Sequence, residues 1–203
     1  MISWMKRNKY SQPYFFLCFM MVISWSKIYG LNYYWFFNNN FFELQSTALF
    51  FMQIAFFAFG GMVLGFLADR FGKEKMIFTA FVLDSIGIFM MEYVADFFMM
   101  GVVSAAILFC IGGQFSIGFA LIGEKIRQEE RSFATGVYLS GAFGGMLILL
   151  LIQFISAFVF ELRSNEFVET PWDYYFICLG IISILFLINY RNLMKQIFQR
   201  KRS

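Results

Sequence analysis

Long apolar stretches separated by short polar connectors make up most of the chain. A helix needs roughly 20 apolar residues to cross the hydrocarbon layer of a bilayer, and six stretches have about that length: 13–36, 47–68, 76–93, 97–123, 133–160 and 172–190. Continuous runs favour helices, because strands of a membrane barrel alternate with a period of two. The pattern therefore predicts an all-α membrane protein, in which six transmembrane helices form a single bundle over residues 1–203 with a basic tail at 191–203.

The positive charges fall on alternate connectors. Of the 16 lysines and arginines, all except Lys27 and Arg163 lie before the first stretch, between the second and third, between the fourth and fifth, or after the sixth. Short connectors rich in Lys and Arg stay on the cytoplasmic side, so both termini are expected there. The 31 phenylalanines are typical of an A- and T-rich bacterial genome. We therefore expect a protein of a bacterial inner membrane.

The composition removes most enzyme classes. The chain is 60% hydrophobic and 14% charged, whereas soluble chains carry roughly a quarter charged residues. It has no histidine, which excludes serine-histidine and cysteine-histidine nucleophile pairs and histidine-ligated catalytic metals. Cys18, Cys110 and Cys178 lie far apart in apolar runs and predict no disulfide framework. We therefore expect that the protein is not an enzyme and binds no metal or cofactor. Because the net charge of +3 is confined to connectors, we also expect no nucleic-acid partner.

The connector after the second stretch is the most informative part of the chain. Residues 65–75 read G-F-L-A-D-R-F-G-K-E-K. Asp69 lies at the C-terminal end of a helix, where the helix dipole is unfavourable to an anion, so it should pair with a cation. Arg70 and Lys73 are the nearest candidates.

Glycines in and around this connector predict close packing. Gly72 permits a tight reversal. Gly65 follows Gly61 by four residues, which gives a small-residue surface on which a neighbouring helix can approach closely. The same role is expected of Gly112, Gly113, Gly141 and Gly145. The alternative is a positive connector with incidental glycines.

The spacing G-x-x-x-D-R-x-G-K at residues 65–73 resembles the signature loop between helices two and three of the major facilitator superfamily. A second stretch is similar to the fourth-to-fifth-helix region of its metabolite:proton symporter branch, which includes proline/betaine transporters. This second stretch holds Gly112-Gly113-Gln114, Gly123-Glu124, Arg131, Gly136, Gly141, Gly144 and Gly145. The Gly60-Gly61 pair resembles that branch too, and the resemblance covers about residues 48–150.

The resemblance implies a secondary transporter that works by alternating access, in which two six-helix bundles move about a midplane site. The expected substrate is a small polar metabolite or osmolyte, proline- or betaine-like, with a proton as the candidate coupling ion and membrane lipid as surroundings. Six helices amount to one bundle, so the N-terminal half alone is expected, completed by a second half or a second copy. The residues expected to act in gating are Gly65, Asp69, Arg70, Gly72, Lys73, Glu124 and Arg131.

Departures from the branch leave other functions open. Ala58 and Phe59 stand where the branch has Arg-Pro, Glu74 occupies a usually basic position, and Gln114 replaces a glutamate. The first stretch also lacks the acidic residues typical of these symporters, and a carboxylate is the simplest proton-coupling device. The alternatives are an inactive, truncated transporter remnant and a membrane scaffold subunit.

Two ionisable residues lie inside apolar stretches, where charge is expensive and a function is the default expectation. They are Lys27, a candidate for substrate binding, and Asp84, a candidate for ion coupling. Measured at 1.5 Å per residue from the helix ends, their depths differ by roughly 9 Å, so a direct pair would require stretching or tilting. Snorkelling of Lys27 is the alternative.

Aromatic residues supply the remaining binding candidates. Trp25, Tyr29 and Tyr33 recur every fourth residue and so share a face of the first helix. Such a wall could bind a quaternary ammonium through cation-π attraction, and ordinary packing or interface anchoring is the alternative. Gln114 is a further candidate for substrate binding.

Glu124 and Arg131 lie on either side of the connector between the fourth and fifth stretches. Their opposite charges could join neighbouring helix ends and favour one conformation over another. The alternative is a solvated, charged connector.

Overall fold

The computed structural model describes residues 11–37, 43–94, 97–161 and 176–189, and every regular element within these ranges is helical. The helices are α1 Ser11–Phe37, α2 Glu43–Phe71, α3 Lys73–Met90, α4 Phe97–Lys125, α5 Gln128–Glu161 and α6 Phe176–Asn189. A short 3₁₀ helix, Met91–Tyr93, continues α3. The predicted all-α class is therefore confirmed, and the basic tail at 191–203 lies outside the described residues.

Four of the helices are long and apolar enough to cross a membrane: α1, α2, α4 and α5. The charge on α3 sets it apart, because Lys73, Glu74 and Lys75 occupy its first turn and Asp84 its middle. The described part of α6 is a shorter apolar helix. The chain is an integral membrane protein by the length and composition of these helices.

The sequence of α3 explains how this helix packs. Its buried residues recur at intervals of three and four, which places them in one stripe along the helix: Ile77, Ala80, Phe81, Asp84, Ser85 and Ile88. Two polar residues thus lie within an otherwise apolar stripe. Gly72 precedes the helix with φ 100, a left-handed conformation that favours glycine, and this is the tight reversal that the sequence predicts.

Small residues bring the helices close together, as the glycine pattern predicts. A Cβ added at Gly112 of α4 would collide with the backbone carbonyl of Phe57 on α2, and one at Gly60 with the carbonyl of Phe109. On α5, a Cβ at Gly145 would lie 2.6 Å from the Ser26 nitrogen of α1. The main packing partners are accordingly α2 with α4, α1 with α5, and α3 with α4.

The helices differ in how far they are covered. In their membrane-spanning segments 56% of α1 and 61% of α4 is buried, against 22% of both α2 and α5. Phe186 of α6 packs against Phe16 of α1 and Phe81 of α3, with both ring-centroid distances 5.3 Å. The core therefore lies around α1 and α4, while α2 and α5 expose broad apolar faces.

Candidate functional site

A buried ion pair lies in the middle of the bundle. Nζ of Lys27 on α1 donates to Oδ1 of Asp84 on α3 at 2.7 Å, and both side chains are fully buried. The ammonium also donates to the hydroxyl of Ser85 at 3.1 Å and lies 4.6 Å from the centroid of the Phe81 ring. The two ionisable residues of the apolar stretches therefore neutralise each other.

Helix α4 completes the arrangement. Nε2 of Gln114 donates to the second oxygen of Asp84 at 2.8 Å, and the hydroxyl of Ser24 on α1 donates to Oε1 of Gln114 at 2.7 Å. We name these five residues the mid-bundle network: Ser24, Lys27, Asp84, Ser85 and Gln114. Each is at most 3% exposed, so the network is closed off from the surface of the bundle.

The direct contact between Lys27 and Asp84 corrects the expectation of a 9 Å depth mismatch. That expectation compared Cα depths along two separate helices. It neglected the reach of the four-carbon lysine stem and assumed that both helices begin in one plane. The expected substrate role of Lys27 and coupling role of Asp84 stay predictions.

A tyrosine on α5 contacts the backbone of a network residue. The Tyr138 hydroxyl, fully buried, donates to the backbone carbonyl of Gln114 at 3.1 Å. Gly118 makes room for it, since a Cβ at that position would collide with the hydroxyl. Tyr138 is not among the residues predicted from the sequence, although its place one turn before Gly141 and two turns before Gly145 is a signal of a packed helix face.

The predicted aromatic wall is present in part. Trp25 and Tyr29 are half-buried on α1, with ring centroids 5.8 Å apart, and the side chain of Tyr33 lies outside the described residues. A second aromatic cluster, which the sequence analysis missed, joins α2, α4 and α5. Its rings are Phe57, Phe115, Phe119 and Tyr138.

Gln53 on α2 is a further polar residue that the sequence analysis missed. It is only 3% exposed, and its Nε2 is the one buried side-chain nitrogen or oxygen in the described part of the chain without a hydrogen-bond partner. An unpaired buried amide costs free energy. Its sequence signal was weak, because an uncharged Gln in an apolar run resembles an ordinary packing residue.

The charged ends of α2, α3 and α4 meet at one end of the bundle, which we name the basic end. Lys73 forms ion pairs with Asp69, at 3.3 Å, and with Glu124. Glu74 pairs with Lys125 at 3.5 Å. The two basic connectors predicted to share one side of the membrane therefore do lie together, and Lys73 is the cation that Asp69 was expected to find.

Other predicted gating residues have different contacts. Glu124 pairs with Lys73, whereas Nε of Arg131 donates to the backbone carbonyl of Ile126 at 3.0 Å; the structure therefore does not join Glu124 to Arg131. Arg70 is exposed at the end of α2. Gly65 packs on α4, where an added Cβ would lie 3.2 Å from the hydroxyl of Ser116.

Hydrogen bonding alters the acidity of Lys73. The bond to Glu124, followed by that to Asp69, raises the pKa of the Lys73 ammonium above its ordinary value, although desolvation acts in the opposite direction. Lys73 therefore stays charged at neutral pH.

A groove of about 290 Å³ lies beside these charges, between α2 and α4. Its floor is made of small residues, Gly61, Gly65, Ser116 and Ala120, and its basic end carries Asp69 and Lys73. Met62 and Phe66 on its side are 73% and 67% exposed. The groove therefore combines small residues with a charged pair.

The fold and this arrangement of charges define a polytopic α-helical membrane protein. The family model of the Major Facilitator Superfamily matches residues 14–197, so the chain belongs to that superfamily, whose members carry out membrane transport. A search of curated proteins and a search of solved structures gave no match.

Proposed function

We propose that the protein transports a small polar metabolite or osmolyte, proline- or betaine-like, by alternating access. The observation that carries this proposal is the superfamily match over residues 14–197. Six described helices amount to one bundle of such a transporter. We therefore propose that a second half, or a second copy of this chain, completes the transport path, and that the basic end faces the cytoplasm of a bacterial inner membrane.

The exposed apolar faces of α2 and α5 support the proposed second half. Such faces belong against lipid or against another bundle. The groove between α2 and α4 has a floor of small residues, which allows a helix to approach closely, and its charged rim supplies polar contacts. The groove is therefore a candidate contact site for a helix of the proposed second half.

The basic end is the proposed gate. Lys73 contacts Asp69 on α2 and Glu124 on α4, so one cation connects the ends of three helices beside the groove. Exposed ion pairs contribute about 0–1 kcal/mol, which suffices to shift a balanced conformational equilibrium about fivefold. We propose that these pairs favour one state of the cycle, with Gly65, Gly72, Arg70 and Arg131 shaping and flanking the gate.

The half-buried aromatic rings of Trp25 and Tyr29 support an osmolyte substrate, since aromatic faces bind quaternary ammonium groups. Gln53 adds an amide donor that lacks a partner among the described residues. A carboxylate on the substrate would satisfy such a donor.

Uptake of labelled proline, betaine and small carboxylates into vesicles bearing this chain tests the proposal. Asp69→Asn should lower uptake about fivefold, because it weakens one arm of the gate, without changing the amount of inserted protein. Glu129→Gln, an exposed acid at the start of α5, is the matched control and should leave uptake unchanged. Absence of uptake with any tested solute, from vesicles that contain the inserted chain, would favour the remnant or the scaffold.

Counting fluorescent copies of the chain in the active vesicles tests the second half. We expect two copies per active unit, or activity only after co-expression with another six-helix half. Activity from isolated single copies would contradict this part of the proposal.

A further inference from the structure

The mid-bundle network satisfies its own polar groups. The Lys27 ammonium contacts Asp84, Ser85 and the Phe81 ring, which matches its three donor hydrogens. Both oxygens of Asp84 accept hydrogen bonds, one from Lys27 and the other from Gln114. Each member of the network has at least one hydrogen-bond partner and the two charges neutralise each other, so an ion or a substrate would have to displace existing hydrogen bonds to bind there.

The network also joins three helices within the apolar interior of the bundle. Lys27 and Ser24 come from α1, Asp84 and Ser85 from α3, and Gln114 from α4. Asp84 lies midway along the buried stripe of α3. Apolar packing between helices in lipid is not directional and has no strong hydrophobic driving force, whereas charged hydrogen bonds fix position and rotation.

We propose that Lys27, Asp84 and Gln114 are positioning residues that stay paired through the transport cycle and make α1, α3 and α4 move as one rigid body. The inference rests on the proposed function only in assuming a cycle. It assigns Asp84 a structural role in place of the predicted ion coupling, and the two roles give different experimental results.

In the described part of the chain, the pair is surrounded mainly by groups whose charge does not change near neutral pH. The polar groups that face it are Ser24 on α1, Ser85 on α3 and Gln114 on α4, none of which titrates in the physiological range. A further titratable group, the Cys110 thiol on α4, interacts electrostatically with both charges. From α6, Phe186 covers the Phe81 ring.

The first experiment measures the half-life of the folded, detergent-solubilised protein at one elevated temperature. Lys27→Met and Asp84→Asn each leave one buried charge unpaired, so each should shorten the half-life at least about tenfold. The double variant removes both charges and should recover to within about threefold of the unmodified protein. Lys125→Met and Glu74→Gln, which break a pair with 38% and 39% exposed side chains, should each stay within about threefold.

Two results would overturn the proposal. One is a double variant no more stable than the single variants, because the two charges would then not depend on each other. The other is a single variant as stable as the unmodified protein. Neither measurement requires transport, so failure of the proposed function does not obscure the result.

The second experiment uses Cys110 as a reporter in a protein whose network is intact. With Cys18→Ser and Cys178→Ser, the 7% exposed Cys110 is the single thiol. Its alkylation by a maleimide in vesicles, expressed relative to the unfolded protein at the same pH, should stay equally slow at about pH 5.5 and about pH 8 and in the presence of betaine or proline. A rise of about tenfold on acidification or on addition of solute would show that water reaches the network during the cycle, and would overturn the inference.

The pH profile of uptake separates positioning from coupling where transport is measurable. The double variant Lys27→Met/Asp84→Asn should keep the pH profile of the unmodified protein. If Asp84 carries the coupled proton, the double variant will insert and fold but lose its response to pH, which would refute the positioning role.

Discussion

The mid-bundle network and the basic end use the same chemistry in different surroundings. Lys27 and Asp84 are 0% exposed, whereas Lys73 is 19% exposed and its partners Asp69 and Glu124 are 70% and 52% exposed. The buried pair is shielded from water and salt. The exposed pairs exchange with water, so their contribution to stability is small.

This difference in burial suits the two regions to different tasks. A buried pair is costly to break because each charge loses its opposite charge in an apolar interior, so it holds helices in a fixed relation. An exposed pair separates at little cost and can change partners during a conformational cycle. In the proposed cycle, the fixed part of the bundle therefore lies in the middle and the adjustable part at the basic end.

The largest expected effect is the loss of stability when the buried Lys27 is replaced by methionine. The same substitution at the exposed Lys125 provides the comparison. Lys27→Met should destabilise the protein by about 3–5 kcal/mol, because it leaves Asp84 unpaired in an apolar interior. Lys125→Met removes one partner of the exposed pair with Glu74 and should cost about 0–1 kcal/mol. Unfolding of both variants in a denaturing detergent, monitored by helical circular dichroism, provides the comparison, and equal losses would erase the distinction between the regions.

The next effect concerns the contact that holds α2 to α4. Gly112→Ala should destabilise the bundle by about 1–3 kcal/mol, since the added Cβ would meet the Phe57 carbonyl. Gly123→Ala, on the same helix, has nothing within 4 Å of its added Cβ and should be neutral or stabilise by up to about 1 kcal/mol. The same unfolding assay decides this, and an unaffected Gly112→Ala variant would mean that the two backbones are farther apart than the structure places them.

The fold could largely be predicted from the sequence because its main determinants are local. Apolar length marks helices, positive connectors mark one end, and glycine spacing marks close contacts. The tight turn at Gly72 and the pairing of Asp69 with Lys73 each involve residues within four positions of each other. No partner from a distant helix is needed for these predictions.

Contacts between distant helices were harder to predict, because they depend on helix rotation, helix depth and side-chain reach. Cα depth alone predicts a mismatch of roughly 9 Å between Lys27 and Asp84, so that a direct pair is expected to require stretching or tilting. The partner of Glu124 turned out to be Lys73 on another connector, and not Arg131 on its own. Glu74 occupies a position that is usually basic in the symporter branch. Its ion pair with Lys125 accounts for an acidic residue there, and no local sequence pattern reveals this contact.

A smaller loss of stability is expected at the contact between α5 and the mid-bundle network. Tyr138→Phe removes the hydroxyl that donates to the Gln114 carbonyl while keeping the ring, and should cost about 0.5–1.5 kcal/mol. Tyr93→Phe, at a residue 83% exposed, is the matched control and should change stability by less than about 0.5 kcal/mol. A loss at Tyr138 as large as that of Lys27→Met would mean that the network depends on α5 as strongly as on its own ion pair.

The smallest effect is the response of the basic end to alkaline pH. The hydrogen bond to Glu124 raises the pKa of Lys73 above its ordinary 10.5, so Lys73 binds its proton more tightly in the folded state than in the unfolded state. Its contribution to stability is therefore complete below the unfolded pKa and is lost as the pH rises through the higher folded pKa. Lys73→Met should flatten this part of the melting-temperature profile between about pH 9 and about pH 12, and moderate salt should weaken the slope in the unmodified protein. A slope that survives both the substitution and the salt would come from another group, and the exposed pairs would then contribute nothing measurable to the resting bundle.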